Sequence, residues 1–264
     1  MYPKKSLGQN FLKDKNIIKK IVEIGNIKSN TVLLEIGPGT GNLTNEIINK
    51  NPKKIYLIEK DKNLYQELKD KFRNDKNIFL FNEDALKFDE KKFENDQIIL
   101  FGNLPYNISS QLLAKWILIK KWPPWYNKLI LMFQKEVADR IIAKFGSRDY
   151  GRLSILSNWR LDIKKHFDIS KDCFFPKPKV DSTLLTFVPI KKDYFQLNDP
   201  KKLEQITRIF FSNKRKMINK AFNRTFQNDK KIISDLNLNL NLRPANLKME
   251  IYYKLAQKYE KLAN

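Results

Sequence analysis

Cysteine and histidine are almost absent from this chain of 264 residues, which contains one of each, Cys173 and His166. A single cysteine cannot form an internal disulfide, and this fits a reducing compartment. One histidine and one cysteine are also too few for a zinc site of the usual ligand set. The sequence therefore predicts a metal-free, cytoplasmic protein.

Long apolar runs are lacking as well. The stretches at 98–101 and 129–133 have the length of a strand, far short of the roughly 18 residues that a membrane-spanning helix needs. The first six residues include basic ones, but no apolar stretch follows them as it would in a secretory signal. We therefore expect a soluble protein with no membrane partner.

Acidic residues are few, since 29 Asp and Glu stand beside 51 Lys and Arg and give a formal net charge of +22. Such a field attracts polyanions whatever the fold, so we predict a nucleic-acid partner. The excess is densest at residues 191–264, which hold 17 basic and 7 acidic residues. An acidic membrane surface, or the lysine-rich composition of an AT-rich genome, is the alternative explanation.

Five short apolar runs alternate with amphipathic segments in the first half of the chain. The runs cover residues 31–36, 55–58, 78–81, 97–101 and 129–133. This alternation is typical of βαβ units and a parallel sheet, with helices beginning near Leu43 and Leu64. Residues 184–188 predict a late strand, and Pro176 and Pro178 predict a rigid loop before it.

The composition changes after Pro189, and no strand-like run follows. Asp199-Pro200 predicts a helix start, with the aspartate as N-cap and the proline in the first turn. Apolar residues keep approximate helical spacing from there to Phe222, so we expect this helix to carry the basic run 213–216. The sequence predicts two domains, a larger α/β domain (residues 1–190) and a small all-α domain (residues 191–264).

A glycine-rich turn follows the first apolar run directly. Gly37, Gly39 and Gly41 would let the backbone approach a ligand closely and would aim the N–H groups of the next helix at it. Dinucleotide enzymes use a related turn with a different glycine spacing, and a tight turn without a ligand is a second alternative.

Acidic residues follow the next two apolar runs. Glu59 is placed to accept hydrogen bonds from both ribose hydroxyls of an adenosine group, and a solvated acid is the alternative. Asp84 is placed to accept one from an adenine amine, and its neighbour Glu83 competes for that role. The turn and the acids together predict an adenosine-containing cofactor, without saying which one.

The segment Asn103-Leu104-Pro105-Tyr106 follows the fourth run and so belongs to the same predicted sheet edge. A base amine is a poor nucleophile because its lone pair is delocalised into the ring. Two acceptors, the Asn103 side-chain oxygen and the Leu104 carbonyl held outward by Pro105, would draw the nitrogen towards an attacking geometry. Tyr106 offers a ring to an unstacked base, worth roughly 1–3 kcal/mol. The segment predicts methylation of a base amine, achieved mainly by positioning.

Seven stretches carry a resemblance to one family. They are residues 7–12 (LGQNFL), 35–41 (EIGPGTG), 59–61 (EKD), 83–86 (EDAL), 102–109 (GNLPYNIS), 174–182 (FFPKPKVDS) and 243–247 (RPANL). Over nearly its whole length the chain resembles the small-subunit (16S) ribosomal RNA adenine N6,N6-dimethyltransferases. The resemblance implies a Rossmann-like class I S-adenosylmethionine-dependent methyltransferase domain followed by a small helical domain. It also implies the reaction, double methylation of two adjacent adenines near the 3′ end of 16S rRNA, late in small-subunit assembly.

The resemblance also assigns site residues. It implies S-adenosylmethionine contacts at Asn10, Leu12, Gly37, Glu59, Asp84 and Asn103, and we add Gly39 from the glycine turn. It implies that Tyr106 stacks on one side of the target adenine and a phenylalanine on the other. Phe175, next to Pro176, is the stronger candidate for that phenylalanine, and Phe174 is the alternative.

The basic tail is assigned to RNA phosphates. The residues concerned are Lys214, Arg215, Lys216, Lys220 and Arg224. The family has a basic helix in the same place with more arginine, whereas lysines keep the charge and lose the bidentate geometry. We expect salt-sensitive RNA binding without base reading, and a solvated helical face is the alternative.

Two other functions compete. One is a large-subunit rRNA adenine N6-methyltransferase of the antibiotic-resistance type, although its relatives usually have isoleucine where Leu104 stands. The other is a chiefly non-catalytic ribosome assembly factor, against which the intact Asn103 and Tyr106 argue. The main hypothesis predicts a monomer whose partner is 16S rRNA in the 30S subunit or its precursor.

Overall fold

The computed structural model of the chain describes residues 3–4, 7–93, 97–191 and 195–262. Its strands are β1 (Phe11–Leu12), β2 (Val32–Ile36), β3 (Lys54–Ile58), β4 (Ile78–Phe81), β5 (Ile98–Gly102), β6 (Tyr126–Gln134), β7 (Leu161–Ile169), β8 (Phe174–Phe175) and β9 (Ser182–Pro189). Its α-helices are α1 (Lys15–Gly25), α2 (Asn42–Ile48), α3 (Lys62–Lys71), α4 (Tyr106–Ile117), α5 (Lys135–Ile142), α6 (Arg152–Arg160), α7 (Lys201–Phe211), α8 (Asn219–Phe226), α9 (Lys230–Asp235) and α10 (Met249–Leu262). The chain divides into two compact units, the first made of residues 1–115, 123–138 and 162–189, and the second of residues 116–122, 139–161 and 190–264.

Seven strands of the first unit form one sheet in the order β4-β3-β2-β5-β6-β9-β7. The five strands from β4 to β6 run parallel, and β9 pairs antiparallel with β6. All five residues of β2 are buried, as expected for a central parallel strand covered on both faces. The predicted α/β class with a parallel sheet is confirmed, and every apolar run singled out in the sequence lies on a strand.

The strand order reverses beside β2. From β2 the chain builds outward through β3 to β4, then crosses back so that β5 lies on the other side of β2. Ligands of open α/β sheets bind at the carboxyl ends of the strands at such a switch point. Ile36 and Gly102, the last residues of β2 and β5, are partners in the register. The glycine turn and the Asn103–Tyr106 segment therefore begin side by side.

Three strands were not predicted. The two-residue strands β1 and β8 form a separate antiparallel pair with Phe11 opposite Phe175 and Leu12 opposite Phe174. The backbone N–H of Lys13 extends this pair by donating to the Cys173 carbonyl at 2.9 Å. The third, β7, lies at the edge of the main sheet and carries many charged side chains, as edge strands commonly do.

The second unit is built mainly from helices, and its described part after residue 195 contains no strand. The Arg160 guanidinium is buried against the ring of Trp159 (3.8 Å to the centroid), and it donates to the Ile119 carbonyl at 3.1 Å. The Tyr253 hydroxyl donates to the Ile155 carbonyl at 3.0 Å. Segments before residue 190 thus contribute to this unit, and the division at residues 190/191 stays a prediction.

The helix that begins after Pro200 is shorter than predicted. An Asp199 oxygen accepts from the Lys201 N–H at 3.1 Å, but α7 ends at Phe211, and the basic run 213–216 lies in the turn before α8. Placing that run on the helix was wrong. Serine competes with helical hydrogen bonding, and the Ser212 hydroxyl donates to a carbonyl of the last turn.

No helix in the described part of the chain is long and apolar enough to cross a membrane. The same residues contain no group of three or more His, Cys, Asp or Glu side chains that could hold a metal ion.

Candidate active site

A cavity of about 130 Å³ lies at the carboxyl ends of the central strands. Its lining includes Gly8, Asn10, Phe11, Gly37, Gly39, Glu59, Glu83, Asp84, Asn103, Leu104, Pro105 and Tyr106. These residues come from the N-terminal segment, the glycine turn, the acids after β3 and β4, and the segment after β5. The structure thus brings together nearly all of the predicted cofactor residues with Leu104, Pro105 and Tyr106, and their individual roles stay predictions.

The glycine turn needs glycine for two different reasons. Gly37 (φ +68°) and Gly39 (φ +58°) both adopt the left-handed conformation that side chains disfavour. A Cβ at Gly39 would approach the Phe11 ring to 2.7 Å, so β1 could not lie on the turn. A Cβ at Gly37 would meet only the Asn103 carbonyl, at 3.9 Å. The Gly37 side of the turn is therefore open to a ligand.

Glu59 is held as a buried acceptor. Its side chain is 6% exposed, with one carboxylate oxygen accepting from the Gly39 N–H (3.2 Å) and the other from the Asp61 N–H (2.9 Å). Burial raises the pKa of this carboxyl group above its ordinary value. Each oxygen keeps a second lone pair, so the carboxylate can still accept from two hydroxyl groups. The alternative of a solvated acid is wrong, because the side chain is buried.

Asp84 is ionised and firmly oriented. Lys60 Nζ contacts one of its oxygens at 2.9 Å, and the Leu86 N–H donates to the other at 3.0 Å. Burial acts to raise the pKa of Asp84, but these donors outweigh it and the pKa is lowered. Glu83 lines the same cavity, so either Asp84 or Glu83 could accept the hydrogen bond from the adenine amine of the cofactor.

The orientation of the Asn103 amide follows from its neighbour. Its Nδ2 donates to the Asn10 backbone carbonyl at 2.8 Å. A carbonyl can only accept, so the amide atom facing it must be the nitrogen. The Asn103 oxygen is therefore the atom left for a ligand. Asn103 lines the cavity and keeps its oxygen as an acceptor, as the proposed contact with an amine requires.

Tyr106 lies on the first turn of α4 with its hydroxyl already engaged. The hydroxyl lies 2.7 Å from Ser182 Oγ, and Ser182 is fully buried at the start of β9. Burial also raises the pKa of the Tyr106 hydroxyl, which therefore stays neutral. The phenol is a poor proton acceptor in this state, so the ring is the part of Tyr106 suited to a base.

The two phenylalanines of β8 have opposite environments. Phe174 is 1% exposed and packs in the core of the first unit, whereas Phe175 is 58% exposed. Only Phe175 presents a ring that could stack on a base. It pairs with Phe11, the residue after the Asn10 whose carbonyl holds Asn103. The N-terminal segment at Asn10 and Phe11 therefore contacts both Asn103 and the strand that carries Phe175.

Comparisons with known proteins agree with this geometry. A family model described as "Ribosomal RNA adenine dimethylase" matches residues 2–261. The ribosomal RNA small subunit methyltransferase A of Pelagibacter ubique (strain HTCC1062) is 53% identical over 259 residues, which cover 98% of this chain and 97% of that protein. The protein of the same name from Wolbachia sp. subsp. Drosophila simulans (strain wRi) is 40% identical over 265 residues, covering 98% and 94%. The chain belongs to the ribosomal RNA adenine dimethylase family.

Solved structures give the same fold. A dimethyladenosine transferase from Plasmodium falciparum superposes with a TM-score of 0.79 at 29% identity, covering 96% of this chain and 98% of that one. The 23S rRNA methyltransferase ErmE superposes with a TM-score of 0.67 at 21% identity, covering 94% and 99%, which shows a common fold alone. The predicted Rossmann-like class I methyltransferase fold is confirmed.

S-adenosylmethionine is the cofactor, as predicted, and the residues that line the cavity suit it. Buried Glu59 can accept from a ribose diol, and the open side of Gly37 leaves room beside the sheet edge. A second cavity of about 20 Å³, lined by Leu12, Glu35 and Asn42, shares Phe11, Gly37 and Asn103 with the first. Leu12 is thus placed in this side cavity. The individual contacts remain part of the proposal below.

Sequence reasoning missed three residues around the site. Asn42 Nδ2 donates to the Leu12 carbonyl at 2.9 Å and so holds β1 in place. Glu35 is buried and accepts from the Thr44 hydroxyl at 2.7 Å, and burial raises the pKa of Glu35 to about 7. The third is Ser182, the partner of Tyr106. Glu35 and Ser182 lie within the family stretches, but no sequence pattern shows which side chains they meet.

We expect Tyr106→Phe and Ser182→Ala to lower kcat/KM for methyl transfer by similar amounts, about 2- to 10-fold, from the roughly 0.5–1.5 kcal/mol net contribution of one hydrogen bond. Each change removes the same bond and keeps the Tyr106 ring. The double variant should therefore lose little more than either single one. Tyr106→Ala, which removes the ring, should lose considerably more. Additive losses in the double variant would show that the two hydroxyls act separately.

Proposed function

We propose that this protein transfers methyl groups from S-adenosylmethionine to N6 of two adjacent adenines near the 3′ end of 16S rRNA. Each adenine is methylated twice, in the 30S subunit or its precursor, late in assembly. The observation that carries the proposal is the orientation of Asn103, which leaves its oxygen as an acceptor while Asn103, Leu104 and Tyr106 line one cavity. The names of the Pelagibacter relative and of the Plasmodium structure support the substrate and the double methylation.

The chain acts mainly by positioning. In the first transfer the Asn103 oxygen and the Leu104 carbonyl accept hydrogen bonds from the two N–H groups of the adenine amine and turn its lone pair out of conjugation with the ring. In the second transfer the amine keeps one N–H, which donates to one of these two acceptors. Tyr106 and Phe175 stack on the two faces of the extruded base. The bound cofactor supplies an electrophilic methyl group on its sulfonium sulfur. Asn10, Leu12, Gly37, Gly39, Glu59 and Asp84 hold it at the sheet edge.

No dedicated base is required. The nitrogen becomes strongly acidic once methylated and releases its proton to water. The neutral Tyr106 hydroxyl is hydrogen-bonded to the Ser182 hydroxyl. The Glu59 carboxylate accepts hydrogen bonds from the N–H groups of Gly39 and Asp61. Neither group is therefore assigned to proton removal.

The test is methyl transfer to defined substrates. The protein is incubated with isotopically labelled S-adenosylmethionine and small subunits from a strain that lacks dimethyladenosine. We expect label in two dimethylated adenines of 16S rRNA, and almost none with Asn103→Ala. Label in large-subunit RNA would instead favour the resistance-type enzyme. Label in protein-stripped RNA but not in subunits would contradict the link to assembly.

We further propose that the basic tail binds RNA phosphates. Lys214, Arg215 and Lys216 in the turn after α7, and Lys220 and Arg224 on α8, are all exposed. No carboxylate in the described part of the chain forms an ion pair with any of these five. Their charge is thus available to a polyanion.

Replacing Lys214, Arg215 and Lys216 together with glutamine should weaken binding to small subunits. Each lost phosphate contact should also reduce the slope of log affinity against log salt by about 0.7–0.9. The measurement is a binding titration at several KCl concentrations. Lys230, Lys231 and Lys248 changed to glutamine form the matched control, with the same charge loss at other exposed positions. If both triple variants lost the same affinity, the basic tail would contribute only through its general charge.

A further inference from the structure

Another cavity, separate from the two at the sheet edge, lies within the second unit. It is an open groove of about 790 Å³ between α7, the turn that follows it, α8 and α10. Its lining residues are Arg208, Ile209, Phe210, Ser212, Asn213, Lys216, Met217, Lys220, Ala221, Arg224, Thr225 and Tyr259. Ligand sites commonly have volumes of roughly 300–1,000 Å³. The groove is large enough to take a nucleotide.

The lining combines positive charge with apolar surface. Four of its residues are arginine or lysine, and none is acidic. Lys216, Lys220 and Arg224 form no ion pair with any described residue, so their charge is not neutralised within the chain. Met217 is an apolar side chain that is 52% exposed. A ligand with both an anionic and an apolar part would match the cations and Met217 together.

The aromatic wall of the groove is fixed. The Phe226 and Tyr259 rings meet in an edge-to-face arrangement with 6.3 Å between centroids, and Lys202 Nζ lies 5.3 Å from the Tyr259 centroid. A ring held in this way loses little conformational freedom when a ligand arrives. Lys202 also adds a further positive charge next to the lining.

Two of the five predicted phosphate contacts lie outside this groove. Lys214 and Arg215 do not line it, whereas Lys216, Lys220 and Arg224 do. Base-paired RNA presents phosphates outward and keeps its bases stacked inside, so it would use the cations and leave Met217 uncovered. An unpaired nucleotide presents a phosphate and a base together.

We propose that this groove binds an unpaired nucleotide of the RNA substrate. Lys216, Lys220 and Arg224 hold its phosphate, and its base lies against Met217 and Tyr259. Contact through the face of a base is tolerant of sequence, so it requires no reading of base edges. The inference rests on the proposed RNA-binding function and adds a base contact where phosphate contacts alone were expected.

The test uses the full-length protein and two labelled RNAs with equal total numbers of phosphates, an unstructured oligouridylate and a blunt-ended duplex without unpaired nucleotides. Uridine has no exocyclic amine, so binding of the probe does not depend on the proposed adenine contacts. The informative variant is Ala221→Phe, which fills the groove and changes no charge. We expect it to weaken oligouridylate binding by about tenfold or more and duplex binding by less than about twofold.

Two further variants complete the design. Met217→Ala covers the case in which Ala221→Phe does not fold, as checked by thermal unfolding, and should also weaken the single strand selectively. Lys214→Gln with Arg215→Gln, outside the groove, should weaken both RNAs alike. The proposal is overturned if the two groove variants weaken both RNAs equally or change neither. Methylation of subunits by the unmodified protein is measured in parallel, so that failure of the groove and failure of the proposed function are distinguishable.

Discussion

Asn103→Ala is expected to lower kcat for methyl transfer about 10²- to 10³-fold, the usual effect of losing one preorganised polar contact to the reacting group. The substitution removes the oxygen that accepts from the amine. It also leaves the Asn10 carbonyl without the hydrogen bond that Asn103 Nδ2 donates to it in the unmodified protein. The larger part of the effect should appear in kcat, because the contact to the amine acts on the reacting nitrogen. Single-turnover transfer to small subunits at saturating cofactor measures it.

Asn10→Ala is the matched control. It keeps the Asn10 carbonyl, and hence the bond that orients Asn103, and removes only the side chain whose Nδ2 donates to the Gly8 carbonyl at 3.2 Å. Its effect should therefore fall on the KM for the cofactor, with kcat largely kept at saturation. A decrease in kcat as large as that of Asn103→Ala would show that Asn103 acts through the N-terminal segment and not on the amine.

The central parallel strands could be predicted from sequence because of how they are buried. A strand covered on both faces reads as a continuous apolar run, and β2, β3 and β5 are runs of this kind. The edge strand β7 has no such run. With two residues each, β1 and β8 are too short to show any periodicity. An apolar run in the sequence reveals a buried strand. The strand β7 has no such run, and β1 and β8 are too short to form one.

The site residues also fall into those that the sequence could place and those that it could not. Residues that directly follow a strand, such as Glu59 and Asn103, could be placed at one sheet edge because the ends of parallel strands meet there. Consecutive residues of a strand point to opposite faces, so Phe174 and Phe175 could be expected to differ in burial. Which one is buried depends on pairing with β1, more than 160 positions earlier in the chain. Contacts at such separation leave no local pattern.

Glu59→Ala is expected to weaken cofactor binding about 100-fold or more. The carboxylate is placed to accept from two ribose hydroxyls, and a hydrogen bond to a charged group contributes roughly 1.5–3 kcal/mol. Its loss would also leave the N–H groups of Gly39 and Asp61 without their present partner in a buried place. Titration calorimetry with S-adenosylmethionine measures the loss, and the methylation rate should recover at high cofactor concentration. An unchanged affinity for S-adenosylmethionine would show that Glu59 does not bind the cofactor.

The same carboxylate should make cofactor binding depend on pH. Only the ionised form accepts from both hydroxyls without giving up an acceptor position to its own proton, so affinity is highest above the pKa and falls as pH falls through it. Because burial raises the pKa of Glu59, this fall should begin closer to neutrality than for an exposed glutamate. Glu59→Gln, which cannot titrate, should bind more weakly and show a flatter pH profile. If the profile of Glu59→Gln followed that of the unmodified protein, the titrating group would be another one, and the buried Glu35, whose pKa is raised to about 7, would be the next to test.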